Sequence, residues 1–133
     1  MDVFLGKMPG VDDNHQIDNM SFTVNVVAKT ADYTVLASES GTFFTNYGCT
    51  GTSEFTLPAV ADGLCYWFYA AAAGTLKVIG ATNLTVAFND ITATSVQLAA
   101  ATEIIGGAFH CVSDGTKWYV FPYLMESQTV TIA

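Results

Sequence analysis

A chain of 133 residues is a single domain's worth of sequence, and with charged residues at only 12% and a mean hydropathy of +0.38 it is too apolar for an ordinary free monomer, so part of its surface is expected to be buried against other chains. A net charge of −8, from twelve acids against four lysines and no arginine, excludes sequence-independent binding of nucleic acid, which needs clustered cations to displace phosphate counterions, and argues against anionic membranes as partners. The cysteines, Cys49, Cys65 and Cys111, are odd in number and widely spaced; they suit neither a zinc site nor a disulfide framework and are expected to be free thiols in a protein made in a reducing cytosol.

Residues 1–21 stand apart, holding Pro9, Gly10 and four acids with little periodicity, and are expected to form an extended N-terminal arm. No basic stretch followed by an apolar run marks a signal peptide. The arm keeps apolar residues among polar spacers, Val3, Phe4, Leu5, Met8, Val11, Ile17 and Met20, a pattern suited to a segment that orders on binding. Val3, Phe4, Leu5, Met8 and Val11 are the candidate contacts of a tether to a partner surface, with strand addition to an exposed edge as one route and folding back on its own domain as the alternative. Asp12, Asn14, Gln16 and Asp18 alternate like calcium ligands. A calcium loop, however, needs Gly at its sixth position and a bidentate Glu at its twelfth, where this chain has Ile17 and Thr23, so no metal site is expected.

From Phe22 onward, strand-like runs recur about every ten residues, over 22–28, 33–37, 42–46, 53–57, 64–71, 75–79, 84–88, 92–98, 108–113, 116–121 and 128–132. Short strands separated by Gly, Asn and Asp predict an all-β fold for 22–133, a compact antiparallel barrel or sandwich. The longest apolar run, 64–73, is about half of what a membrane span needs. Alanine runs at 70–73 and 99–101 suggest close approach of sheets or subunits, and 99–103 allows at most one helical turn.

The run 64–71 is apolar on both faces, with Leu64, Tyr66 and Phe68 on one and Cys65, Trp67 and Tyr69 on the other. An antiparallel sheet in so small a protein usually leaves one face polar. The second apolar face therefore points either to a strand central to a two-layer core or to a subunit contact, for which Tyr66, Trp67 and Tyr69 are the candidates. Further on, Asp114-Gly115 between two apolar runs predicts a two-residue type I′ hairpin. It would pair Ser113 with Thr116, Val112 with Lys117, Cys111 with Trp118, His110 with Tyr119 and Phe109 with Val120, putting Phe109, Cys111, Trp118 and Val120 on the core face. Catalytic raw material is thin: His15 lies in the arm, His110 on the hairpin's more polar face, and neither a G-x-S-x-G elbow nor a Gly-rich phosphate loop occurs. Neither catalysis nor a cofactor is expected.

Four pieces stand in a set order: Ala31-Asp32-Tyr33-Thr34-Val35; Gly41-Thr42-Phe43-Phe44-Thr45-Asn46; Phe55-Thr56-Leu57-Pro58-Ala59 leading to Gly63-Leu64-Cys65-Tyr66-Trp67-Phe68; and Ser113-Asp114-Gly115-Thr116-Lys117-Trp118-Tyr119-Val120. Together, over 31–121, they resemble a domain of tailed-bacteriophage virion-surface proteins, which include capsid decoration (cement) proteins, head fibres and tail-fibre knobs. The resemblance implies a homotrimer on the outer surface of the capsid, made in the host cytoplasm, that binds the major capsid protein and stabilises contacts between its subunits. A fibre module recognising host surface glycans is the alternative, with Trp67, Tyr69 and Tyr119 stacking on sugars. A polysaccharide depolymerase is set aside, because paired catalytic carboxylates have no local setting.

Overall fold

The period-two alternation of the sequence becomes a two-layer β structure in the computed structural model, which describes residues 23–80, 85–87, 89–98 and 104–133. Its strands are β1 (Val26–Ala28), β2 (Tyr33–Thr34), β3 (Phe43–Thr45), β4 (Ser53–Thr56), β5 (Asp62–Tyr69), β6 (Leu76–Ile79), β7 (Thr85–Ala87), β8 (Asp90–Ala93), β9 (Ser95–Leu98), β10 (Ala108–Asp114), β11 (Trp118–Tyr123) and β12 (Val130–Ile132). Every run expected to be extended contains a strand, and 92–98 is divided at Thr94 between two. The run 33–37 stops early. Beyond Thr34 the chain enters a 3-10 turn, Ala37–Glu39, held by the Glu39 carboxylate, which accepts from the Leu36 N–H at 2.9 Å and the Tyr33 hydroxyl at 2.7 Å.

Two sheets form, one ordered β1-β3-β5-β10-β11-β7-β8 and the other β12-β9-β6-β4-β2. The sandwich is as expected, but its pairing is mixed rather than antiparallel throughout. From β1 to β6 the chain passes to the opposite sheet at every strand, so β1, β3 and β5 lie side by side in one layer and β2, β4 and β6 in the other. Strands reached by such a double crossing run the same way, and all four pairings among them are parallel. Local hairpins return only later, at β7–β8 and β10–β11.

Aromatic rings from both layers fill the space between the sheets. Phe44, Phe68, Tyr66, Phe109 and Trp118 point inward from the first sheet and meet Phe55, Leu76, Val78, Val96 and Leu98 of the second, all of them at most 1% exposed. Phe55 reaches across to Phe44 and Phe68, with ring centroids 5.6 and 5.0 Å apart. The Tyr66 hydroxyl donates to the Leu36 carbonyl at 2.8 Å, so the phenol enters the core with its polar end satisfied. Asn46, fully buried at the end of β3, accepts from the Ala71 and Ala72 N–H groups at 2.6 and 3.0 Å and ties down the chain where it leaves β5.

The β10–β11 hairpin corrects the expected register. Ser113 faces Trp118, Val112 faces Tyr119, Cys111 faces Val120 and His110 faces Phe121, so each residue of β10 meets a residue two positions further along than a two-residue turn would give. Asp114 is the cause. Its carboxylate accepts from the backbone N–H groups of Thr116 and Lys117, both at 2.8 Å, which closes a longer loop over Gly115 at φ +90°. A slip of two preserves side-chain parity, so Phe109, Cys111, Trp118 and Val120 still face the core as the sequence implied.

Candidate binding face

The outer surfaces of the two sheets differ in kind. On the five-stranded sheet the outward positions include Glu54, Thr56, Lys77, Gln97 and Thr131, and Lys77 lies 3.5 Å from the Glu54 carboxylate. That is the solvated face expected of a sandwich. On the seven-stranded sheet the outward positions of β3, β5, β10 and β11 carry Phe43, Trp67, Tyr69, His110, Phe121 and Tyr123 instead. Their register makes one surface of them: Phe43, Trp67, His110 and Phe121 lie in a single row across four strands, and Tyr69 and Tyr123 flank it.

The rings touch. Trp67 and His110 stack face to face, with centroids 4.1 Å apart and planes 5° from parallel, while Tyr123 lies 5.1 Å from Trp67 and Phe121 lies 5.9 Å from His110. Phe43 and Tyr69 extend the patch on the other side at 5.8 Å. Phe121 and Tyr123 remain about half exposed, at 50% and 51%. Pro122 between them fits this place, because among the described residues β7 pairs with β11 only at Trp118 and Tyr119, so no described strand calls for its missing N–H on that side.

Electrostatically the face is nearly blank. Partial removal from water holds the His110 imidazole below its ordinary pKa and so favours its neutral form. Among the described acids near the face, Asp62 pairs with Asp114 at one end and Asp90 stands beside Phe121. Asp114 accepts the Tyr119 hydroxyl at 2.7 Å in addition to its turn contacts; these bonds hold its carboxyl well below the usual range and push the Tyr119 phenol up. Beside the face, Ala87, Asn89, Asp90, Ile91, Tyr119, Val120 and Phe121 line an open cleft of roughly 330 Å³.

Of the three residues expected at a subunit contact, Trp67 and Tyr69 lie on this outer face and Tyr66 does not. Tyr66 is fully buried in its own domain, its hydroxyl pushed up to about 12 by burial, because β5 turns Tyr66 and Phe68 inward. Tyr119 lies at the margin of the face, 38% exposed. His110 faces Trp67 and Phe121 rather than Tyr119. Cys111 is in the core, with its thiol pushed up by burial, and the neighbouring strand's Cys65 lies on the opposite side of the sheet, so the two are free thiols separated by the layer itself. The arm residues Val3, Phe4, Leu5, Met8 and Val11, the acidic series 12–18 with His15, and the alanines 99–101 lie outside the described residues. Among the described residues no three His, Cys, Asp or Glu side chains gather to hold a metal ion.

Reading the sequence alone missed Phe43, Phe121 and Tyr123 as members of the site. The alternation Tyr119-Val120-Phe121-Pro122-Tyr123 carried a signal for the last two, whereas Phe43 is joined to Trp67 only by the parallel β3–β5 pairing. The chain matches no protein-family model, and no curated protein matches it either.

Proposed function

We propose that this chain is a capsid decoration protein of a tailed bacteriophage, assembling as a homotrimer on the outer surface of the head and stabilising contacts between major capsid protein subunits. The observation that carries the reading is the contrast between the two outer faces, one polar and one aromatic, on an acidic chain with little charge. A free monomer gains nothing from an uncovered row of Phe, Trp and Tyr, whereas an assembling subunit does, since each such side chain contributes roughly 1.5–3 kcal/mol when it leaves water. The ordered motifs from Ala31 to Val120 supply the kind of assembly by resemblance. The mechanism is additive burial: many copies, each adding modest contacts across capsid subunit boundaries, make the shell harder to open, and no catalytic step is needed.

The test is to mix purified protein with heads lacking it and to image and count what attaches. Hundreds of copies on the head surface, with heads that resist heat or osmotic shock better than bare ones, support decoration. No attachment rejects it. A handful of copies at one vertex or on the tail would favour the second reading, a receptor-binding module for host surface glycans. That reading draws on the cleft beside Tyr119 and Phe121, where aromatic rings stand next to the polar Asn89 and Asp90.

A further inference from the structure

We propose that the aromatic face of the seven-stranded sheet is where copies of this chain meet, and that His110 makes this contact labile to acid. The inference rests on the self-assembly in the reading above, but not on the capsid.

Charge selects a second copy as the occupant. The chain carries −8, so most approaches of one copy to another bring acid towards acid. The row Phe43, Trp67, His110, Phe121 with Tyr69 and Tyr123 contains no carboxylate and no amine, and it is the one extended aromatic surface among the described residues. Two such faces can approach without like charges opposed. A nucleic acid would find no cation there, and the amide and carboxylate that could fix sugar hydroxyls, Asn89 and Asp90, stand outside the row in the neighbouring cleft.

The position of His110 supplies the regulation. Its imidazole lies flat on Trp67 at 4.1 Å and beside Phe121 at 5.9 Å. The titratable groups that face it are Cys65 and Tyr69 from β5 and Tyr119 and Tyr123 from β11, with no carboxylate among them to stabilise an imidazolium. The nearest described carboxylates lie further off: Asp62 and Asp114 pair at the far end of the same two strands, four residues along β10 from His110, and Asp90 stands in the cleft on the other side of β11, beside Phe121. The Trp67 ring favours a cation over its face, which opposes the loss of water, but in the free subunit desolvation already holds the imidazole towards neutrality. Covering the face with another copy removes more water and brings a second His110 nearer, and both effects lower the pKa further. The sign follows: association is at full strength above the pKa of the free subunit and is lost as the pH falls through the lower value of the assembled one. Each unit of that lowering weakens association about tenfold per subunit, so three subunits together give about a thousandfold.

Sedimentation equilibrium of the full chain at pH 7.5 and 5.0 tests this, with Trp67→Glu, Phe121→Glu and His110→Gln alongside and thermal melts to establish folding. The expected result is an oligomer at pH 7.5 that weakens at least tenfold at pH 5.0, monomers for whichever of the two Glu variants retains its melt, and an oligomer at both pH values for His110→Gln. A wild-type monomer at pH 7.5, an unchanged oligomer in a folded Glu variant, or the same acid loss in His110→Gln overturns the proposal. Attachment to heads is scored separately at pH 7.5, so a protein that self-associates yet ignores heads sinks the decoration reading alone, and one that binds heads as a monomer sinks this one.

Discussion

A few polar side chains hold the loops between the strands, and each does so by occupying backbone groups that have no strand partner. Asn46 is the deepest, its carbonyl oxygen taking the N–H groups of Ala71 and Ala72 from inside the protein. Asn46→Ala leaves both donors without a partner and is expected to lower stability by about 1–3 kcal/mol, read as a fall in the urea midpoint at unchanged slope. Asp114 works at the surface, where its depressed pKa links folding to pH. In the unfolded chain it titrates near its ordinary 3.8 and in the folded one lower, so between the two the unfolded state binds the extra proton. The stabilisation is complete above about pH 4 and is lost as the pH falls through the folded value. Asp114→Asn keeps an oxygen for the turn but cannot accept from every donor that the carboxylate serves. It should be less stable than wild type at pH 6, with the gap narrowing towards pH 2; a constant gap over that range would mean that the carboxylate's charge plays no part.

At the scale of elements, the chain's habit of changing sheet at every strand from β1 to β6 decides both what was legible and what was not. Strand positions follow from side-chain alternation, a local property, and the inward faces of β5, β10 and β11 follow with them. Partners do not, because a Gly- or Asn-containing connection of a few residues can close a hairpin or cross to the other layer, and nothing in 46–52 or 57–61 says which. Trp67 and Tyr69 could therefore be picked out as an outer pair, while Phe43 could not be placed beside them. The same crossings stack successive loops, and Gly74 after β5 lies against the backbone of Gly51 after β3, so a Cβ on Gly74 would meet the Gly51 carbonyl oxygen. Gly74→Ala must push two turns apart, and a loss of about 1–3 kcal/mol is expected, the usual cost of overpacking. Gly51→Ala, whose Cβ points into open space, should cost far less. Equal losses would show that the two loops are not held in contact.

For the molecule as a whole, the question is whether folding, self-association and attachment reside in separable parts. Among the described residues the buried core runs from Val35 to Val120, with Val27 the first to pack against it and Ile132 the last, and its rings pack on one another. The arm carries Phe4 and Leu5 among acids, glycine and proline, a composition suited to docking rather than to independent folding. Deleting residues 1–20 is therefore expected to leave the melting transition and the oligomer in place while weakening attachment to heads. Phe4 and Leu5 should account for most of that loss. Each is worth roughly 1.5–3 kcal/mol if buried on the partner, so losing both reduces the affinity of one arm by about a hundredfold or more, and three arms acting together multiply the effect. Titration of heads with full-length protein, the deletion and Phe4→Ser/Leu5→Ser separates the outcomes. A deletion that melts early assigns the arm to the domain's own core, one that saturates heads as tightly as the full chain leaves the arm no part in attachment, and one that folds, associates and binds weakly places the tether in the arm and the subunit contact in the sheet.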